Sequence, residues 1–249
     1  MILRRLAQSL KEQNWTAITI EFVLLVLGVF LGIQAANWNE ARGDRSREAV
    51  YLASLMQDLR SDIDEIDEVK RVSTLRLSAM GYLLTQATGA PLPSGFDSAR
   101  GRIEIEPTPA YAADDPNSIG VAMFILTTLD GNRLAYDTMI NTGGIGVIRD
   151  DALLRAIQSY YSSVDKVRTF EAALEINRVK LVDAQQQAGL SPVDAMTSPQ
   201  MIAAFADHPA LLAAAKNYWL YTNRHLKLMN DLRAAAEHVV DDIGQRTKP

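Results

Sequence analysis

The chain has 249 residues, 48% of them hydrophobic, a net charge of −5, three histidines and no cysteine. With no cysteine there is no thiol nucleophile, and with an acidic balance and no basic aromatic stripe, nucleic acid is not an expected partner. The missing cysteine fits a reducing or an oxidising compartment equally and does not choose between them.

Residues 1–16 open with MILRRLAQSLKEQNW, in which Ile2, Leu3, Leu6 and Leu10 share one side of a helix and Arg4, Arg5 and Lys11 lie largely on the other. That pattern predicts a short amphipathic helix on an anionic lipid surface. The next stretch, Ala17 to Ala36, reads AITIEFVLLVLGVFLGIQAA, with Glu21 and Gln34 as its only strongly polar members. At about 1.5 Å per residue its twenty residues match the roughly 30 Å of bilayer hydrocarbon, and they predict a single transmembrane helix over residues 17–36. Trp15 and Trp38 stand just outside its ends, where indole rings favour the headgroup layer. A cleaved signal peptide, cut near Ala35 and Ala36, is the main alternative, but the apolar run is longer than such peptides need. A buried core helix is disfavoured by the flanking tryptophans and the near absence of charge.

The span has a distinct face. Gly28 and Gly32 form G-x-x-x-G, Ala36 continues the spacing, and Glu21 lies seven residues before Gly28 on the same side. Small residues at this interval let helix backbones approach closely in lipid, so this face predicts contact with a second copy or with another membrane protein. Glu21 would be satisfied inside that contact, since a carboxyl near the membrane edge is costly unless paired, protonated or in reach of the interface. Arg4, Arg5, Lys11 and the terminal amine precede the span, while Arg42, Arg45 and Arg47 follow it among acidic residues. The slight excess before the span favours a cytoplasmic N-terminus and an extracytoplasmic body, as for a bacterial inner-membrane protein with a periplasmic bundle.

The junction LGIQAANWNEARGDRSREAVYLASLMQDLRSDI, Leu31 to Ile63, resembles an uncharacterised bacterial single-pass membrane family. The resemblance rests on Gln34 and the box Asn37, Trp38, Asn39 and Glu40, although Ala35 and Ala36 stand where larger or more polar residues are expected. A later stretch, AYDTMINTGGIGVIRDDALLRAIQSYY, is similar to the same family's segment of tyrosine, turn glycines and helix start. The resemblance implies topology rather than any activity.

Residues 37–87 are expected to form a stalk or first bundle helix. No proline interrupts residues 1–90, although Gly43 offers a bend. Leu52, Met56, Leu59, Ile63 and Ile66 form an apolar stripe that shifts through Val69, Val72 and Leu75. Asp58, Asp62, Asp64, Glu65, Asp67 and Glu68 read as a solvated face paired with Arg60, Lys70 and Arg71, with divalent-cation binding as the sharper and less favoured alternative. Residues 88–118 hold five of the nine prolines and break the pattern, with RIEIE at 102–106 as a short strand. A loop this long is the first candidate for contact with a partner. Ile119 to Ile140 reads as helical with a break at Asp130-Gly131, and NTGGIGVIRDD reads as a tight reversal ending in an Asp150 N-cap rather than a phosphate cradle.

Asp151 to about Ala188 predicts a long helix with a seam of Leu153, Ile157, Tyr160, Val164, Val167, Leu174 and Leu181. Glu171 and Arg178 fall at skipped seam positions, with Phe170 expected to take over part of the packing. Gly189 and Ser191-Pro192 end it, and Ser198-Pro199 and His208-Pro209 begin two more helices. The last keeps Leu212, Ala215, Trp219, Thr222, Leu226, Met229, Ala236, Val240 and Ile243 on one seam, and residues 245–249 read as a tail. The expected fold is all-α. It comprises a single N-terminal transmembrane helix continuing into a long helix, one Pro/Gly-rich loop, and an extramembrane antiparallel bundle completed by residues 119–244.

No catalytic, metal or cofactor motif stands out. His208, His225 and His238 do not fall in H-E-x-x-H and none follows a glutamate by three, so they read as surface or partly buried residues. There is no G-x-S-x-G. The expected function is that of a membrane-anchored interaction protein, an accessory, scaffold or assembly subunit. Its partners would be the bilayer and a second copy or a membrane protein, with no cofactor and no nucleic acid. A ligand- or stress-sensing bundle is the first alternative, although the leader of about sixteen residues is too short for an output domain. An enzyme with an unrecognised site is the second.

Overall fold

The computed structural model describes the backbone of residues 15–99, 101–112, 119–191 and 196–246, and side chains from residue 19 onward. Arg4, Arg5 and Lys11, the Trp15 side chain, Pro116, Pro192 and residues 247–249 lie outside the described residues. Six helices and one two-stranded sheet are described: α1 (Trp15–Thr88), β1 (Gly95–Ser98), β2 (Gly101–Glu104), α2 (Ile119–Phe124), α3 (Leu134–Asn141), α4 (Asp151–Gln187), α5 (Ser198–Asp207) and α6 (Pro209–Arg246). The chain divides into two compact units, Met1–Val50 and Tyr51–Pro249.

In the first unit, α1 passes Gly43 without a break. Its large apolar side chains from Ile20 to Ile33 are 47–66% exposed, with no cover among the described residues. Exposed singly, apolar residues need no explanation, but a continuous sleeve of them does. α1 is the one described helix long and apolar enough to cross a membrane, and its apolar part lies near the N-terminus. Beyond it, the Arg42 guanidinium sits 5.9 Å from the centre of the Trp38 ring, and Arg47 pairs with Asp44.

The second unit is built on three helical seams. On α1 the buried positions run Leu52, Leu55, Leu59, Asp62, Ile66, Val69, Ser73, Arg76, Met80 and Leu83, in steps of three and four throughout. On α6 they run Leu211, Ala215, Tyr218, Thr222, His225, Met229, Leu232, Ala236, Val239 and Ile243. On α4 they run from Leu153 through Tyr160, Val167, Glu171 and Leu174 to Leu181 and Gln185. A strict 3.5-residue repeat keeps one seam facing its neighbours along the whole helix, as in coiled coils. Two apolar clusters result. One joins Leu52–Val69 of α1 to Leu153–Val167 of α4 and Met229–Ile243 of α6. The other joins Leu77–Leu84 of α1 to Leu174 and Leu181 of α4 and Leu211–Trp219 of α6. Hence α1 and α4 run in the same direction and α6 runs antiparallel to both.

The long return from α1 to α4 makes the parallel pairing possible, and it is more ordered than its prolines suggest. The expected strand at 102–106 is found as β2, and its antiparallel partner β1 makes a hairpin that the pattern did not reveal. Past the hairpin, Asn223 of α6 accepts from the Glu106 amide (3.2 Å) and donates to its carbonyl (2.7 Å). The Trp219 indole donates to Thr108 Oγ1 at 3.1 Å. Thr108 in turn packs so closely on Gly81 that a Cβ there would overlap its methyl group.

The expected helical stretch from Ile119 to Ile140 breaks at Asp130-Gly131 as read, but more widely: α2 and α3 are separated by non-helical residues 125–133. The reason is competition for backbone amides. Carboxylates of α1 and α4 take the amides of residues 129–132, and helical hydrogen bonds lose them. The turn glycines behave as expected: Gly143 has φ +70°, and Gly144 lies against the Tyr51 ring, 2.5 Å from where a Cβ would sit. Asp150 then caps α4 by accepting from the amides of Ala152 (2.8 Å) and Leu153 (2.9 Å). These amides, and Arg246 beside them, hold the Asp150 carboxyl below the usual carboxylate range. α5 starts with a capping box between Thr197 and Gln200.

Candidate functional site

Between the two apolar clusters each seam turns polar at the same level. α1 supplies Ser73 and Arg76, α4 supplies Glu171, and α6 supplies Thr222 and His225, all buried. The His225 Nε2 lies 2.9 Å from Glu171 Oε1, and its Nδ1 lies 3.1 Å from Ser73 Oγ. A carboxylate at Nε2 assigns the ring proton to that nitrogen, leaving Nδ1 to accept from the serine hydroxyl. Arg76 donates to Ser73 Oγ (3.2 Å) and to the Ile125 carbonyl (2.8 Å), and its guanidinium lies 5.8 Å from the Tyr218 ring centre. Burial pushes the Arg76 pKa down and the Tyr218 pKa up, because each loses water around its charged form. The Phe170 ring is parallel to that of His225, at 6.5 Å between centroids.

Two sequence expectations are corrected here. Glu171 does not leave the seam to Phe170. It occupies the seam at 5% exposure, because His225 and the Leu129 amide (3.0 Å) receive its carboxylate, while Phe170 flanks and stacks on Tyr221. His225 is not a surface or partly buried histidine but is fully buried, whereas His208 is half-buried and His238 exposed.

The acidic run on α1 is likewise corrected in part. Glu68 pairs with Arg71, and Asp67 with Lys70 and Arg233, in solvent as expected. Asp58 and Asp62 are buried instead, and with Glu65 they grip the 129–135 strap by its amides. Asp58 takes Ala135 (2.8 Å), Asp62 takes Asn132 (2.6 Å), and Glu65 takes Asp130 (2.6 Å) and Gly131 (3.1 Å). The Tyr160 hydroxyl also donates to Asp62, at 2.6 Å. Burial raises the Asp62 pKa against these hydrogen bonds, and burial raises that of Tyr160 as well. No metal-ligating group of three is found among the described residues.

Beside Glu171 the surface opens into a recess of about 770 Å³, bounded by the strap and by Arg168, Glu175 and Arg178 of α4. Arg178 is bound to Glu175 through two hydrogen bonds of 2.7 and 2.6 Å, and Arg168 donates to the Asp130 carbonyl. Ser73, His225 and Glu171 have the residue types of a nucleophilic triad. The serine, however, is fully buried and is held by Arg76, and it does not line this recess. What the arrangement does is orient: it fixes the level of three helices and ties the strap to α1 and α4.

The residues expected to meet a membrane partner belong to the first unit. Glu21, Gly28, Gly32, Ala36 and Trp38 are all exposed, and a Cβ on Gly28 or Gly32 would meet nothing within 4 Å among the described residues. Sequence reasoning missed Ser73, Arg76, Glu171, His225, Asp58 and Asp62. The signal that would have found the first four is the unbroken alternation of three and four, followed through polar residues instead of around them.

No curated protein and no solved structure matches the chain. Residues 21–89, which take in the apolar span and α1 as far as its end, match DUF6090, a family of unknown function.

Proposed function

We propose that the chain is a membrane-anchored interaction protein: an accessory, scaffold or assembly subunit that self-associates through Glu21, Gly28, Gly32 and Ala36 and presents its helical bundle to an aqueous compartment. The observation that carries this reading is the uncovered apolar sleeve of α1, with open space beside both glycines. In lipid, where packing rather than hydrophobicity drives association, such a face gains by meeting another helix. The charge bias around the span supports a cytoplasmic N-terminus and a bundle on the periplasmic side of a bacterial inner membrane. A role without chemistry of its own is supported by the buried polar layer, whose serine, histidine and carboxylate are all committed to one another.

The recess beside Glu171 favours a second reading, a sensing bundle in which a ligand acts on the strap. Extraction of native membranes into polymer-bounded lipid discs, followed by native mass spectrometry, separates the readings. An interaction subunit gives particles with two or more copies, or a fixed co-subunit, under all growth conditions. A composition that changes with an added ligand supports the sensor, and single copies without a co-subunit contradict the proposal.

A further inference from the structure

The hairpin and the segment leading into it do more than close the bundle. Against α6 they enclose two apolar recesses of about 440 and 310 Å³ that share Phe96, Ile105 and Leu220 as common walls. Together they form one groove with an aromatic lining. Phe170 and Tyr221, stacked at 5.6 Å, close one end, and Trp219 lines the other. Volumes of this order, largely apolar with a few polar groups at the mouth, are those of small-molecule sites, whereas protein docking faces are flatter and larger.

The rim is cationic. Lys216 and Arg224 stand four residues either side of Leu220, on one face of α6, and both are exposed. Neither has an ion-pair partner among the described residues, and the carboxylates nearby are engaged elsewhere. Glu104 receives Arg102 at 2.9 Å, and Glu106 and Asp231 face Lys227 at 3.9 and 3.2 Å. An apolar body fills the groove and a negative head completes the rim. We infer that this groove binds a single-chain amphiphilic anion, a long-chain carboxylate, with its tail along Phe96, Ile105 and Leu220 and its head between Lys216 and Arg224. The inference goes beyond the proposed function and stands whether or not the span self-associates.

The chain's three tryptophans make the test direct. With Trp15→Phe and Trp38→Phe in the full-length chain, held in zwitterionic phosphatidylcholine nanodiscs, Trp219 is the only indole, and it lines the groove. Its fluorescence is titrated with ω-bromododecanoate, whose bromine quenches on contact, and with the trimethylammonium and alcohol analogues of the same length. Saturable quenching by the carboxylate, at a half-saturation about tenfold below that of the cation, is expected from the rim charges. Lys216→Glu with Arg224→Glu, both exposed and unpaired, raises that half-saturation about tenfold while leaving the circular dichroism unchanged. Phe96→Asp, on the exposed hairpin, weakens carboxylate and alcohol alike. Equal quenching by all three amphiphiles overturns the inference, as does indifference to the charge reversal. Absence of quenching also overturns it and leaves an acidic protein segment as the groove's occupant.

Discussion

Replacing Glu171 by alanine is expected to destabilise the bundle by about 3–5 kcal/mol, the sum of two buried donors left without their acceptor and the packing volume lost. The size follows from what is stranded. The buried His225 Nε2–H and the Leu129 amide both donate to Glu171 Oε1, and alanine supplies neither an acceptor nor the lost volume. Ser73, which also receives Arg76, is then bonded to a ring whose far side is unsatisfied, so the loss extends across the layer. Glu171→Leu combined with His225→Leu is expected to recover part of the stability, because the carboxylate and the imidazole donor are removed together while the Leu129 amide and the Ser73 hydroxyl still lose their acceptors. A urea titration followed by Trp219 fluorescence, in the background lacking Trp15 and Trp38, gives all values for a double-mutant cycle. If Glu171→Ala costs less than about 1 kcal/mol, a value typical of an exposed ion pair, the layer does not hold the helices together.

Gly28→Ile with Gly32→Ile is expected to reduce self-association of the span to the level of a monomeric control in a membrane dimerisation reporter. Two isoleucines on the glycine face push the backbones apart, and in a bilayer no gain in apolar burial compensates for the lost packing. Val26 and Phe30 lie roughly on the opposite side of the helix, at about 100° per residue, so Val26→Ala with Phe30→Leu provides the matched control. The control pair should associate as the native span does. Association that survives the glycine substitutions, or that fails equally in the control pair, removes the face from the account.

The elements that were legible in the sequence are those in which residue type and role agree. The span, the Asp150 cap, the start of α5 at Ser198 and the extent of α4 all follow from local chemistry: apolar length, a capping carboxylate, proline at a first turn. The bundle interior was legible only where it is apolar. At Asp62, Ser73, Arg76, Glu171 and His225 the seam continues through polar residues, and hydropathy reads each one as a step off the stripe. The step to Leu75 is such a misreading: Val72 is buried as expected, but Leu75 is only half-buried, while Ser73 and Arg76 are fully buried. Glu171 and Ser73 lie 54 and 152 residues from His225 in sequence, and no local pattern carries that information. The strap failed for the same reason. ILTTLDGNR is helical by composition until carboxylates from α1 and α4 claim its amides.

The polar layer also bears on how the bundle chooses its register. Three heptad seams of Leu, Val and Ile would slide past one another by whole heptads at modest cost, and a polar group at a seam position is the best-attested device against that. Here the Ser73–His225–Glu171 row draws one residue from each long helix, so a slip of any one would strand the other two.

Alkaline carbonate extraction of native membranes, with mass analysis of the N-terminus, tests the central claim most directly. An integral span keeps the full-length chain in the pellet, with the residues before Ala17 still attached. Release of the intact chain into the supernatant as a detergent-free monomer, or recovery of a form beginning near Asn37, would contradict it.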